Sequence, residues 1–189
     1  MEHKHIITIA GKPGSGKSFT SKEVAKILDY KHFSSGALFR TIGKDRGINV
    51  LDTNLAAEQE KEIDYMVDEK LRSIYETEDE LVIDSRMAWH WMPASFKVYL
   101  DLDLNVAAAR ILNDMDEERR KAEEVPADPT LYADRLQARL DSEAKRYLNL
   151  YQVNPYDPNN YDLVIDTQLN NKNEVVEKVV TEYKNWLNK

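Results

Sequence analysis

Gly11-Lys12-Pro13-Gly14-Ser15-Gly16-Lys17-Ser18 sets three glycines, a lysine and a hydroxyl at the G-x-x-x-x-G-K-[ST] spacing that cradles a polyphosphate. The chemistry needs each type. Glycines let the backbone curl so that successive N–H groups aim inward, Lys17 offers a cation to the β- and γ-phosphates, and Ser18 offers an oxygen to Mg2+. Candidate ATP contacts therefore run through Gly11, Lys12, Pro13, Gly14, Ser15, Gly16, Lys17, Ser18 and Phe19. The second metal partner is expected in Asp84, which ends the apolar run Leu81-Val82-Ile83 and would hold the ion directly or through water.

A further constellation is cationic. Arg139, Glu143 and Arg146, at steps of four and three, fall on one face of a helix expected from Asp128 to Tyr151. Leu136, Leu140, Ala144, Tyr147 and Tyr151 form the packed stripe beside it. On an open surface such spacing merely pairs charges. Beside a phosphate loop it suits a phosphoryl group in transit, which needs cations around three equatorial oxygens. Arg40, Arg86 and Arg110 add to the set from other segments, Arg86 directly after the strand end at Asp84-Ser85.

The elements that must position these groups read as alternating strands and helices. His5–Ala10 is a β-branched run before the glycine loop, and Lys17–Asp29 carries Val24, Ala25, Ile27 and Leu28 at helical spacing after it. Strands follow at Lys31–Ser34, Leu81–Asp84, Phe96–Leu100 and Asp162–Asp166, with helices at Ser35–Asp45, through Ala107 and Ile111, and at the carboxyl end. Five apolar strands alternating with helices predict a parallel sheet covered on both faces, with ligands at the strands' carboxyl ends. The polar stretch 47–79 and the charged stretch 113–147 do not fit that core and are expected to be mobile covers over the site. The 189 residues are thus expected to form one domain, with core segments 1–46, 80–112 and 148–189.

Bulk properties remove several classes of function. A net charge of −8 disfavours a nucleic-acid binder, which would present a large basic face. The absence of cysteine excludes disulfides, thiolate metal sites and thiol nucleophiles. No apolar stretch approaches a membrane span and the amino terminus has no secretory apolar core, so no membrane association and a cytoplasmic location are expected.

Further motifs resemble the cytidylate kinase family, within the nucleoside monophosphate kinases. Ser35-Gly36-Ala37-Leu38-Phe39-Arg40 is similar to that family's S-G-A-[IL]-[YF]-R, Asp84-Ser85-Arg86 to its D-G-R, and Lys97-Val98-Tyr99-Leu100-Asp101 to its K-[IV]-[FY]-L-D. Arg139, Glu143 and Arg146 fit its R-x-x-x-[DE]-x-x-R, and the compact, archaeal-type members are the nearest in form. The resemblance implies a three-layer α/β fold of the P-loop NTPase kind, with 47–79 as monophosphate-binding segment and 113–147 as lid. It implies a monomer that transfers the ATP γ-phosphate to CMP or dCMP with Mg2+ as cofactor. Ser35, Arg40, Arg86, Arg139, Glu143 and Arg146 would then bind the monophosphate, and Lys17, Arg110, Arg139 and Arg146 would serve catalysis, Arg110 and Arg146 closing over the migrating group.

Departures from the family pattern are Lys12 in the loop, Ser85 in place of Gly, Ala107 where Arg is frequent, and the bulky Met87-Ala88-Trp89-His90-Trp91-Met92. Arg119 or Arg120 could supply the cation that Ala107 lacks. Other readings are a kinase for UMP, AMP or a small-molecule hydroxyl, a GTP-dependent switch, and a non-catalytic nucleotide sensor. The switch would need N-K-x-D after a strand. Asn171-Lys172-Asn173-Glu174 comes near it but reads better as a helix cap.

Overall fold

The computed structural model describes residues 4–45, 61–122 and 125–189; within them no side chain is described for residues 40, 43, 44, 61, 119, 121 and 122. Five strands, β1 (Ile6–Gly11), β2 (Lys31–Ser34), β3 (Leu81–Asp84), β4 (Phe96–Asp101) and β5 (Leu163–Asp166), pair in the order β2-β3-β1-β4-β5, every pairing parallel. Eight helices accompany them among the described residues: α1 (Lys17–Leu28), α2 (Ser35–Asp45), α3 (Lys61–Thr77), α4 (Ala88–Trp91), α5 (Leu104–Asp114), α6 (Glu117–Ala122), α7 (Pro129–Tyr151) and α8 (Lys172–Leu187).

The three layers follow from strand periodicity. β1 sits between β3 and β4, and all six of its residues are buried, which explains its continuous apolar reading. Ile7 and Ile9 face a core shared with Val24 of α1 and Val176, Val179 and Tyr183 of α8. Ile6, Leu81 and Ile83 face the other layer with Leu71 and Ile74 of α3 and Met92. Helices therefore cover both faces, as the alternating pattern predicts.

Parallel pairing brings the strands' carboxyl ends to one edge. Ile9 pairs with Asp84, Ser34 with Asp84, and Gly11 with Leu100, so Ser34, Asp84, Gly11 and Asp101 arrive side by side there. Gly11 is obligatory at this turn, because its φ of 150° is unfavourable for a side chain and a Cβ would lie 2.3 Å from the Leu100 carbonyl oxygen.

One expectation needs correction. The stretches 47–79 and 113–147 are not foreign to the core where they are described. In α3 Ile63, Leu71 and Ile74 are buried, and in α7 Ala133 and Leu136 pack against Leu102, Ala107 and Ala108. Their exposed faces are so charged that the average reads polar while the helical period still carries an apolar stripe. Residues 47–60, 123 and 124 of these stretches lie outside the described residues. Ala107, which stands where the family frequently has Arg, is fully buried beneath the loop, where Gly14 lies close against it. Asn171 does cap α8, in a reciprocal capping box with Glu174.

Candidate functional site

The phosphate loop leads from β1 into α1. Gly16 occupies the N-cap with φ 87°, a left-handed conformation that glycine adopts without steric penalty, and no side chain caps the helix. The positive end of α1 and its first N–H donors are thus left for an anion. The Lys12 carbonyl braces the loop, accepting from Ser15 Oγ at 2.8 Å and from Lys17 Nζ at 2.9 Å. The Lys12 ammonium itself is paired with Asp101 Oδ1 at 2.7 Å, so the extra charge in the loop is largely spent on β4.

Burial pulls the Lys17 ammonium down to about 8, against the upward pull of Asp84. Arg86 and Arg139 also lower it, while Glu143 raises it. Four groups distant in sequence therefore act on the loop lysine.

Ser18 Oγ donates to Asp84 Oδ2 at 2.8 Å. Asp84 is buried, and Ser35 Oγ donates to its carbonyl at 3.3 Å, which ties the start of α2 to the end of β3. A hydroxyl and a carboxylate so placed are hard oxygen donors of the kind Mg2+ prefers. No group of three or more metal-ligating His, Cys, Asp or Glu side chains exists among the described residues. A cation here would complete its shell from phosphate and water, as Mg2+ commonly does.

The arginine face converges as its spacing suggests, but around an acid. Glu143 is only 2% exposed. Arg139 Nε donates to its Oε1 at 3.0 Å, Arg86 Nε lies 3.1 Å from its Oε2, and the Tyr156 hydroxyl donates to that same oxygen. Burial opposes the charge on Glu143, yet Arg86 and Arg139 outweigh it and hold the carboxyl down at about 2. Glu143 is thus a fixed anion that gathers two guanidinium groups, one from the turn after β3 and one from α7.

Ser35, Gly36, Phe39, Arg86, Arg139, Arg146 and Tyr147 line one cavity with Asp64 and Asp68 of α3. Arg146 belongs to its wall but turns away from Glu143, its Nε lying 3.1 Å from Asp64 Oδ2. Arg110 does not join this group. It donates from Nη2 to the Thr167 carbonyl at 2.9 Å and lines a different cavity of about 590 Å3, together with Gly14, Gly16, Phe19 and Asn171. The turn of α5 on its packed face, with Ala107 and Ala108 inward, decides that direction. The Arg40 and Arg119 side chains lie outside the described residues. Arg120 is near Glu117, 3.9 Å away.

Asp64, Asp68 and Tyr156 are missing from the sequence reading. A signal for the first two exists, since they follow Ile63 and Val67 on the apolar side of α3 and are both buried. Carboxylates there are costly unless partnered or used. Tyr156 lies in an irregular segment and has no periodicity to betray it. Trp89 packs with Tyr99 and Tyr161, whereas Trp91 donates from Nε1 to Asp68.

Comparison with known proteins agrees with this geometry. Residues 7–160 match a family model described as an AAA domain. A cytidylate kinase from Natronomonas pharaonis is 38% identical over 165 residues, 86% of this chain and 80% of that protein. Another, from Sulfurisphaera tokodaii, is 31% identical over 184 residues, 96% of each. Among solved structures, a shikimate kinase from Bacteroides thetaiotaomicron aligns with a TM-score of 0.65 at 14% identity, over 97% of this chain and 98% of that one, a likeness of fold alone.

Proposed function

The chain belongs to the cytidylate kinase family, and on that premise we propose that it transfers the γ-phosphate of ATP to the phosphate of CMP or dCMP. The observation that carries the reading is the convergence of Arg86 and Arg139 on buried Glu143, within electrostatic reach of Lys17. An isolated nucleotide-binding loop has no use for two guanidinium groups held at its mouth by a buried acid. An acceptor that is itself a phosphate needs them.

The acceptor oxygen is already anionic, so alignment and charge neutralisation matter more than a general base. Arg86 and Arg139 hold the acceptor phosphate, steadied by Glu143, while Ser35 closes its near side. Lys17 follows the β- and γ-phosphates of the donor. Ser18 and Asp84 would hold Mg2+, which when bound supplies charge screening on the donor phosphates. The donor nucleoside occupies the 590 Å3 cavity beside Phe19, with Arg110 as its wall rather than as a cover over the reacting group. Arg40, Arg146 and the segments 47–79 and 113–147 remain candidates for enclosing the acceptor and shielding the reaction from water. No described helix is long and apolar enough to cross a membrane.

Steady-state turnover with CMP, dCMP, UMP, AMP and shikimate at saturating Mg-ATP tests the reading. CMP or dCMP should give the highest kcat/KM. Preference for AMP or for the alcohol would overturn it.

The depressed Lys17 gives an independent expectation. Below pH 8 the free protein carries the charge, and above it the ammonium loses its proton well before an ordinary lysine would at 10.5. A bound triphosphate favours the charged form, so binding takes up a proton between those values and affinity falls as pH rises above about 8. Calorimetry in buffers of different ionisation heat should show uptake approaching one proton near pH 9 and almost none near pH 7, where Lys17 is already charged.

A further inference from the structure

The walls of the donor cavity meet behind it at one residue. Gly14 and Gly16 of the phosphate loop supply one wall, Arg110 and Ile111 of α5 a second, and Thr167 and Asn171, between β5 and α8, a third. Asp101, the last residue of β4, is tied to the elements behind all three. Its Oδ1 lies 2.7 Å from Lys12 Nζ of the loop and accepts from Leu102 N at 2.9 Å, in the turn that leads into α5. Its carbonyl accepts twice from Thr167, from N and from Oγ1, each at 3.0 Å. The Thr167 carbonyl in turn takes Arg110 Nη2 at 2.9 Å.

Lys12 joins the loop to this arrangement. Its N–H donates to the Leu100 carbonyl at 3.2 Å, and its own carbonyl accepts from Ser15 Oγ and Lys17 Nζ. Its backbone is therefore held by β4 on one side and by the loop on the other. Further along, the loop rests on α5 where Gly14 meets Ala107, and a Cβ added there would lie 3.2 Å from the Ala107 carbonyl oxygen. That contact limits approach but fixes no direction. A charged tie at Lys12 supplies one.

A lysine in a phosphate loop invites reading as one more cation for the donor. Its ammonium, however, is already matched by a carboxylate, and the family pattern that the chain otherwise follows has an uncharged residue at this place.

We propose that Lys12 is a positioning residue for the donor nucleotide. Its pair with Asp101 keeps the phosphate loop in register with α5 and with the turn after β5, and so sets the triphosphate cradle against the nucleoside wall. Lys12 acts through Asp101 and does not touch ATP. The inference rests on the donor-site reading above and is independent of which acceptor is used. The two side chains are 27% and 43% exposed, so solvent screens the pair and the expected effect on an equilibrium is about threefold.

The test measures the Kd for Mg-ATP by calorimetry without acceptor, and separately the KM for CMP. The proteins are the wild type, Lys12→Met, Lys12→Arg, Asp101→Asn and the double variant of Lys12→Met with Asp101→Asn. Lys12→Met keeps the aliphatic stem and should weaken Mg-ATP binding about threefold, with the KM for CMP changed less than about 1.5-fold. Lys12→Arg should restore the wild-type Kd, since a guanidinium also pairs with the carboxylate. Asp101→Asn should weaken binding to a similar degree, and the double variant no more than the weaker single one, because the two residues act as a unit. Direct contact of Lys12 with the phosphates predicts the opposite for Asp101→Asn, where a lysine released from its carboxylate would tighten Mg-ATP binding.

Unchanged or tighter binding in Asp101→Asn would overturn the proposal, as would a loss below about twofold in Lys12→Met. Equal losses for Mg-ATP and CMP would also overturn it, by showing a general disturbance of the fold. If Lys12→Met fails to fold by circular dichroism, Asp101→Asn decides alone. A wild type that binds Mg-ATP but turns over no pyrimidine monophosphate removes the acceptor reading and leaves the Kd comparison standing. A wild type that does not bind Mg-ATP removes both.

Discussion

Lys17→Ala should lower kcat by on the order of 10^3, about 4 kcal/mol of transition-state stabilisation, the upper end of what one preorganised charged contact supplies. The loss should fall mainly on kcat. The loop N–H groups and the N-terminus of α1 still bind the triphosphate at rest, and what disappears is the cation that can follow the γ-phosphate as its charge redistributes. The loop should survive the change. Among the described residues Lys17 Nζ gives one hydrogen bond, to the Lys12 carbonyl, which Ser15 continues to use. Removing a partly desolvated ammonium also relieves a burial cost, the same cost that draws its proton affinity down to about 8. A melting temperature near that of the wild type together with a collapsed kcat is the expected pair of results. A kcat within about threefold of the wild type would show that Lys17 does not touch the reacting phosphates.

The sequence is a good guide wherever one local rule controls the outcome. β3 keeps the limits expected from its apolar run, Leu81–Asp84, because a parallel strand buried on both faces has no polar alternation to confuse it. The glycine loop is legible for a related reason: its geometry is set by residues in a single turn. Legibility ends where tertiary packing chooses a direction. Arg110 and Arg146 look equivalent as helical arginines, yet the packing of α5 through Ala107 and Ala108 sends one toward Thr167, while α7 brings the other to Asp64. The Lys12–Asp101 pair joins residues almost ninety positions apart and leaves no periodic trace. Asp64 and Asp68 are hidden in a different way. Composition averaged over 47–79 reads as a solvated stretch, and only the position of the two acids beside Ile63, Val67 and Leu71 shows them turned inward.

Arg86→Ala should raise the KM for CMP by on the order of 10^2 while moving the KM for ATP by less than about threefold, since a charged hydrogen-bonding partner of the acceptor phosphate is lost and none of the donor's. A stability effect will accompany it and must be separated. Glu143 is buried and depends on Arg86 and Arg139 to stay ionised, so removing one of them leaves a carboxylate with half its compensation and should lower the melting temperature. Arg86→Lys divides the two contributions. A lysine ammonium can neutralise Glu143 and restore much of the stability. It cannot present the planar fork that grips two phosphate oxygens at once. The expected outcome is a nearly normal melting temperature with kcat/KM for CMP still at least about tenfold below the wild type. Recovery of both by lysine would reduce Arg86 to a counter-ion for Glu143. The acceptor phosphate would then have to be held by Arg139 and by side chains beyond β3.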